Sequence, residues 1–551
     1  MHASRILALL LVFLAAGCDP APVEPDAARR LPDGGAPTDG AGPIVPPPAD
    51  GGGEEDAGRG EDGGPATPPD AGPPRPPPEA GDPSFAHATI GALDGACESA
   101  NPFGFSLGDW NRDGHVDLQS WSHSRTTHCM WTGDGDGTFT VASGWTAETA
   151  PFFTGGWNVQ LADLDGDGDL DAIGRTTEGE DGWIENTTSR VGGVPRAVFH
   201  HGPWGNRAAL TVADFDGDGA LEVAHEGPVL YRLDGSVLAT LDSVDSAIVF
   251  DWTGDSYPDL VVPDGPSWES NGDGTFRGGS VGPAFAGCSG SRSLVFDADL
   301  DGDVDVLCYT GDDELWIVVQ QAGGSFRRHP LATPFNVIDT VATKAAHSVA
   351  DYNNDGHVDV LIMGRGPGST NLLLNRGGLV FERADNARTF DISIDGNHHG
   401  SRPTTAPHDY DGDGRVDFVG YDLRDEIPDA ELMLWRNTTP EAGHYVQVVL
   451  SAEAMGAGRN RDALGAVVEA LAPGTSTRVG SSYRTVRSYQ QGIPTVAHLG
   501  TDTHETVDLR VTWPSGYGTE TFTGVRADRR YVVRYAPSGS RLEEWELPRG
   551  E

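Results

Sequence analysis

Nine-residue segments carrying carboxylates at fixed positions hold the clearest chemical signal in the chain. The fullest copy is Asp163-Leu164-Asp165-Gly166-Asp167-Gly168-Asp169-Leu170-Asp171, with Asp at positions 1, 3, 5 and 9 and Gly at position 6. Asp297, Asp299, Asp301 and Asp305 repeat this set, as do Asp409, Asp411, Asp413 and Asp417. Asp109, Asn111, Asp113 and Asp117, and likewise Asp351, Asn353, Asp355 and Asp359, put a neutral amide oxygen at position 3. Asp214, Asp216, Asp218 and Glu222 close with a longer arm. Asp251, Asp255 and Asp259 form the weakest copy, with Thr253 at position 3 and Ser256 in place of the glycine. So many like charges within nine residues repel one another unless a cation neutralises them. Calcium takes roughly 6–8 oxygen ligands at about 2.3–2.6 Å, so hard oxygens crowded about a sharp turn suit it better than magnesium. Up to seven calcium ions are expected, one per loop, with the loop at Asp251 doubtful.

One Asp-Gly segment alone is an ordinary polar turn. Seven in one frame, each between strand-like stretches, point to a repeat. Their starts lie 54, 51, 37, 46, 54 and 58 residues apart, a mean of 50, which is the period of β-propeller blades. Apolar or small residues precede each loop, as in Ala209-Leu210-Thr211-Val212-Ala213, and strand-like residues follow, as in Val358–Met363. A Gly-rich turn then leads to a Phe at 139, 276, 326 and 381. Each repeat reads as four strands with the acidic loop between the first two. After the seventh loop two strands are expected, near Val416–Gly420 and Glu431–Trp435, with no Gly-turn-Phe strand behind them. Pro83–Thr89 supplies the missing outer strand, Phe85 taking the place of Phe139, and closes the ring without a free edge. The fold expected is all-β: a seven-bladed β-propeller over residues 84–440, then a small β-domain over 441–540 and a tail over 541–551. Aromatics at loop position 2 (Trp110, Phe215, Trp252, Tyr352 and Tyr410) are read as packing between blades.

Composition narrows the partners. Asp and Glu number 83 against 37 Lys and Arg, a formal charge of −46, and Lys344 is the sole lysine. Nucleic acid and anionic lipid surfaces need clustered basic residues and are excluded. Gly (75) and Pro (39) favour turns and short strands over helices.

The N-terminus reads as an export signal. Ile6–Ala16 is apolar but too short to span a bilayer. Leu14-Ala15-Ala16-Gly17-Cys18 resembles a bacterial lipobox, which implies cleavage before Cys18 and lipid on its thiol. Residues 18–83 are nearly all Pro, Gly, Ala, Asp and Glu, too polar to fold, and read as a disordered tether. The expected location is the cell envelope, touching membrane only through that lipid.

The acidic loops and Gly-x-Gly-Thr-Phe turns resemble the FG-GAP/VCBS repeats of integrin-alpha-like propellers, which implies one calcium per loop stiffening its blade. Beyond Glu441, four segments resemble the ASPIC/UnbV domain of the cartilage acidic protein family: Asn460–Val467, Ser488–Gln491, His498–Gly500 and Trp513–Gly516. That resemblance implies an extracellular, calcium-binding, adhesive protein and no defined reaction.

Four further cysteines in an exported chain are expected to pair. Cys97 with Cys129 and Cys288 with Cys308 keeps each bridge inside one blade. No serine-hydrolase elbow or zinc-protease motif occurs. His398 and His399 are the one unusual His cluster, placed near the ring axis, with His201 and Trp204 on the same face. The expectation is a monomeric, non-catalytic binding or adhesion module for a protein or glycan ligand. The alternatives are a propeller enzyme acting on polysaccharide at the axis, or a scaffold for exported proteins.

Overall fold

The computed structural model describes most of residues 82–545. Outside the description lie residues 1–81 and 546–551, the segments 93–101, 123–129, 143–159, 203–209, 332–345, 364–370, 385–405, 424–429 and 484–495, and a few shorter stretches. Cys18, Cys97, Cys129, Trp204, His398, His399 and Ser488–Gln491 fall there.

Seven four-stranded antiparallel sheets occupy the chain up to Asn437 and are numbered here by their acidic loops. Blade 2 is typical: Gln160–Ala162, Asp171–Arg175, Asp181–Asn186 and Ala197–His201 pair in chain order, with the loop joining the first two. Second strands begin at the position-9 carboxylate and are buried over their described residues; Asp305–Tyr309 is buried throughout. Outer strands such as Ser325–Pro330 are half exposed.

Ring closure follows the sequence reading. Phe85–Ala92 is the fourth strand of blade 7, beside Ala430–Asn437, Asp417–Leu423 and Ala406–His408. Phe85 pairs with Asn437 in the register that sets Phe276 opposite Ser270 and Phe381 opposite Asn375. Its ring meets Tyr352 and Phe418 edge-on at 5.8 and 5.2 Å.

Blades adhere through apolar clusters that each join two neighbours. Trp110 packs with Met130, Ala172 and Ile184, linking blades 1 and 2. Tyr410 packs with Leu107 and Trp131, linking blade 7 to blade 1. Phe215, Trp252 and Tyr352 do the same between blades 3 and 4, 4 and 5, and 6 and 7. The position-2 aromatics are therefore packing residues, as expected. Buried amides add a polar tie. Asn186, Gln320, Asn375 and Asn437 each donate to the position-2 carbonyl of an adjacent blade, at 2.7–2.9 Å.

The C-terminal domain is two four-stranded sheets about one core that includes Val448, Val468, Leu509, Val511 and Trp513. His444–Ser451 runs parallel to Arg529–Arg534. The expected tail over 541–551 is corrected in part: Arg541–Glu544 is an edge strand paired with Tyr531–Arg534. Two exposed ion pairs accompany that backbone pairing, Arg534 meeting Glu543 at 3.4 Å while Arg529 meets Glu544. Arg478–Tyr483, Val496–Asp502 and Thr519–Arg526 are further strands of the two sheets. Cys288 and Cys308 are disulfide-bonded, as expected, with Cα atoms 5.3 Å apart.

Candidate metal centres

Three hydrogen bonds recur in all seven acidic loops. The position-6 N–H donates to the position-1 carboxylate at 2.7–3.2 Å. The position-2 N–H donates to the position-9 carboxylate at 2.8–3.1 Å. The position-7 N–H donates to the position-5 carboxylate at 2.7–3.0 Å. In six blades the second position-9 oxygen also accepts an N–H from the end of the third strand. A left-handed residue at position 6 makes the bend: glycine at φ 85–93° in six loops, and Ser256 at 71° in the fourth.

This scaffold brings carboxylate oxygens together. Asp163, Asp165 and Asp171 offer ligand atoms within 4.8 Å of one another, as do Asp297, Asp299 and Asp305, and Asp409, Asp411 and Asp417. In loop 3 the convergent set is Asp214, Asp216 and Asp218. Positions 1, 3 and 9 thus meet in three loops, while Asp167, Asp301 and Asp413 at position 5 bend back onto their own backbone. Asn111 and Asn353 bond the position-5 carboxylate through their amide nitrogens at 2.9 and 3.0 Å. Thr253 donates instead to Asp251, at 3.3 Å.

Oxygen-only donors of this kind fit a hard cation. The fit has a second sign: Glu222 Oε1 and Asp297 Oδ1 are buried without a hydrogen-bond partner among the described residues. An orphaned buried carboxylate oxygen is costly unless something cationic meets it. Burial, and after it neighbouring carboxylates, raises Glu222 to about 9. The same causes raise Asp305 and Asp171 to about 8 and Asp297 to about 7. Asp359 and Asp417 are pushed well up by burial.

A cavity of about 410 Å³ opens beside loop 7, lined among others by His408, Asp409, Asp411, Tyr445, Arg530 and Trp545. His201 does not line the axis, in contrast to the sequence reading: it is exposed on the outermost strand of blade 2, against Phe199.

Family comparison agrees with this geometry. Residues 109–174, 297–362 and 351–420 match the FG-GAP-like repeat, and residues 456–540 match the ASPIC and UnbV domain. The chain carries FG-GAP-like repeats and a C-terminal ASPIC and UnbV domain. The FG-GAP matches cover the loops at Asp109, Asp163, Asp297, Asp351 and Asp409. They pass over the two that depart most, the one closed by Glu222 and the one with Thr253 and Ser256. No curated protein matches the chain. Among solved structures, an Agrocybe aegerita lectin specific for non-reducing terminal N-acetylglucosamine is 21% identical, over 51% of this chain and 79% of its own, with a TM-score of 0.37. AofleA from Arthrobotrys oligospora is 11% identical, over 65% of this chain and 88% of its own, at 0.31. These likenesses are distant and carry nothing about ligand.

Proposed function

We propose that this FG-GAP protein is a calcium-stabilised binding module, exported and held to the cell envelope through lipid on Cys18, and that it catalyses no reaction. The convergent carboxylates of loops 2, 3, 5 and 7 carry the calcium reading. The ligand set is Asp at positions 1, 3 and 9 in loops 2, 5 and 7 and Asp214, Asp216 and Asp218 in loop 3, while Asn111 and Asn353 supply amide oxygens at position 3 of loops 1 and 6. Extracellular-type sites bind near 10⁻⁴–10⁻³ M, and ion at 100 times its dissociation constant adds about 2.7 kcal/mol per site. We assign the ligand, protein or glycan, to the cavity beside loop 7. Its size falls in the range of small-ligand sites, roughly 300–1,000 Å³, and aromatic rings stand beside hydrogen-bonding groups in its lining.

Calorimetric titration of the full chain with calcium and then magnesium tests the first part. Heat with calcium and a melting point raised by many degrees are expected; no binding at millimolar calcium refutes it. A glycan array probed with the parent and with Trp545→Ala tests the second. A glycan signal lost in the variant supports the cavity, and a signal unchanged in it removes the assignment.

A further inference from the structure

The acidic loops present carboxylates to one another and carbonyls to the C-terminal domain. Arg461 donates to the Gly168 carbonyl of loop 2. The Ser515 N–H donates to the Ser256 carbonyl of loop 4 at 2.5 Å, and Arg478 Nη1 to that of Asp301 in loop 5 at 2.6 Å. The Gly443 and Asp502 N–H groups take the Asn353 and Asn354 carbonyls of loop 6, both at 2.9 Å. Gly456 lies so near loop 3 that a Cβ there would come within 2.2 Å of the Asp218 carbonyl. In loop 7 Gln447 Nε2 donates to Asp409 Oδ2 at 2.7 Å. Loop 1 feels Arg461 and Arg530 through charge.

Three segments that mark the C-terminal domain supply this interface. Leu464, beside Arg461, packs with Leu164 and Leu221 of loops 2 and 3. His498 bonds Asn354 at 2.8 Å, and a Cβ on Gly500 would fall 1.9 Å from Asp351 Oδ2. Ser515 sits on loop 4.

We propose that cation loading of the acidic loops and docking of the C-terminal domain are one linked equilibrium, the domain serving as a cation-dependent cap on the propeller. The inference rests on the calcium reading above. A single loop conformation both converges the carboxylates and aims the carbonyls at positions 3–6 toward the cap. A cation stabilises that conformation by relieving repulsion, and the cap stabilises it from the other side. Each therefore tightens the other by the same factor. The charge of Arg461 works against the ion, but the five Asp of loop 2 (163, 165, 167, 169 and 171) keep a charge of −3 after a dication binds, so Arg461 is still attracted to the loaded loop and the shared loop conformation carries the coupling.

The test pairs hydrogen exchange with calcium calorimetry on the full chain, as parent, Arg461→Ala/Arg478→Ala and Gly500→Val. On chelation, residues 443–445, 478–483 and 498–502 of the parent lose protection while Val468 and Val511 in the domain core keep it. Both variants expose those segments and bind calcium at least about 5-fold more weakly, the low end of typical coupling. Retained core protection shows that a variant domain is folded. Calcium heat with no change at the docking segments, or parental affinity in an undocked variant, overturns the cap alone. No calcium heat in the parent overturns the calcium reading and the cap with it.

Discussion

Asp171 holds two jobs that a substitution can separate from those of Asp165. One Asp171 oxygen accepts the Leu164 N–H at 2.8 Å and the other accepts the Asn186 N–H at 2.9 Å, all in the buried interior. Asp171→Ala strands both donors, at about 1–3 kcal/mol each, so it should lower stability by about 2–6 kcal/mol whether or not calcium is present. Asp165→Ala should lose only the calcium-dependent part, so its melt matches the parent in chelator and falls below it in calcium. Equal losses in chelator would mean that position 9 has no separate structural role. Ser256 offers a gain: held at φ 71° where six sister loops use glycine, it bears a left-handed strain of about 1–2 kcal/mol. Ser256→Gly should raise the unfolding free energy by about 1 kcal/mol, read as a higher denaturant midpoint, and a lower midpoint contradicts the strain. Titration gives a third readout. An unfolded carboxyl titrates near 4, whereas burial raises Asp297 to about 7, Asp171 and Asp305 to about 8 and Glu222 to about 9. Their protonated forms favour the fold; that stability is complete below about pH 4 and is lost as pH rises through 7–9. The chelated protein should therefore melt lower at pH 9 than at pH 6, and the calcium-loaded protein should not; a chelated melt that rises with pH is the contrary result. The loops were legible in sequence because ligand chemistry forces residue type and spacing together. The doubled bonding of position 9 was not, because a carboxylate that holds a backbone and one that holds an ion look alike as letters.

Strands repeat the lesson one level up. The ring-closing strand could be read because Phe85 obeys the pattern of Phe139, Phe276, Phe326 and Phe381, each set opposite the last residue of a third strand or its near neighbour. Phe85→Ala should cost about 3–5 kcal/mol and expose blade 7 first, seen as early exchange at Ala430–Asn437; uniform exchange across all blades would contradict closure by this strand. The outer strands of blades 2 and 3, Ala197–His201 and Val237–Thr240, have no Gly-turn-Phe signal and rest on half-exposed pairing instead. Arg541–Glu544 escaped the sequence reading for a related reason: only Leu542 of its four residues is apolar, and its partners are supplied by charge from a neighbouring strand.

At the scale of the molecule, seven dications against a charge of −46 would leave −32, so the loaded protein still repels its own kind and anionic surfaces. The Cys288–Cys308 bridge, with a sequence separation of 20, ties the segment that leads into blade 5 to the second strand of that blade. Its loop-closure entropy is worth about 3 kcal/mol, so Cys288→Ser/Cys308→Ser should lose about that much in oxidising buffer, and no loss would make the bridge ornamental. The docking of the C-terminal domain on the loops was beyond sequence reading. Arg478 meets Asp301 across 177 residues, and no periodic pattern announces a contact made between two separately folded surfaces. The ring closure has a mechanical side as well. Phe85 begins the first described strand, and seven residue pairs join that strand to Ala430–Asn437. Tension applied at Phe85 along the strand would load those seven pairs together in shear, whereas tension across it would peel them singly from Phe85, so the direction of pull decides how firmly the ring stays shut.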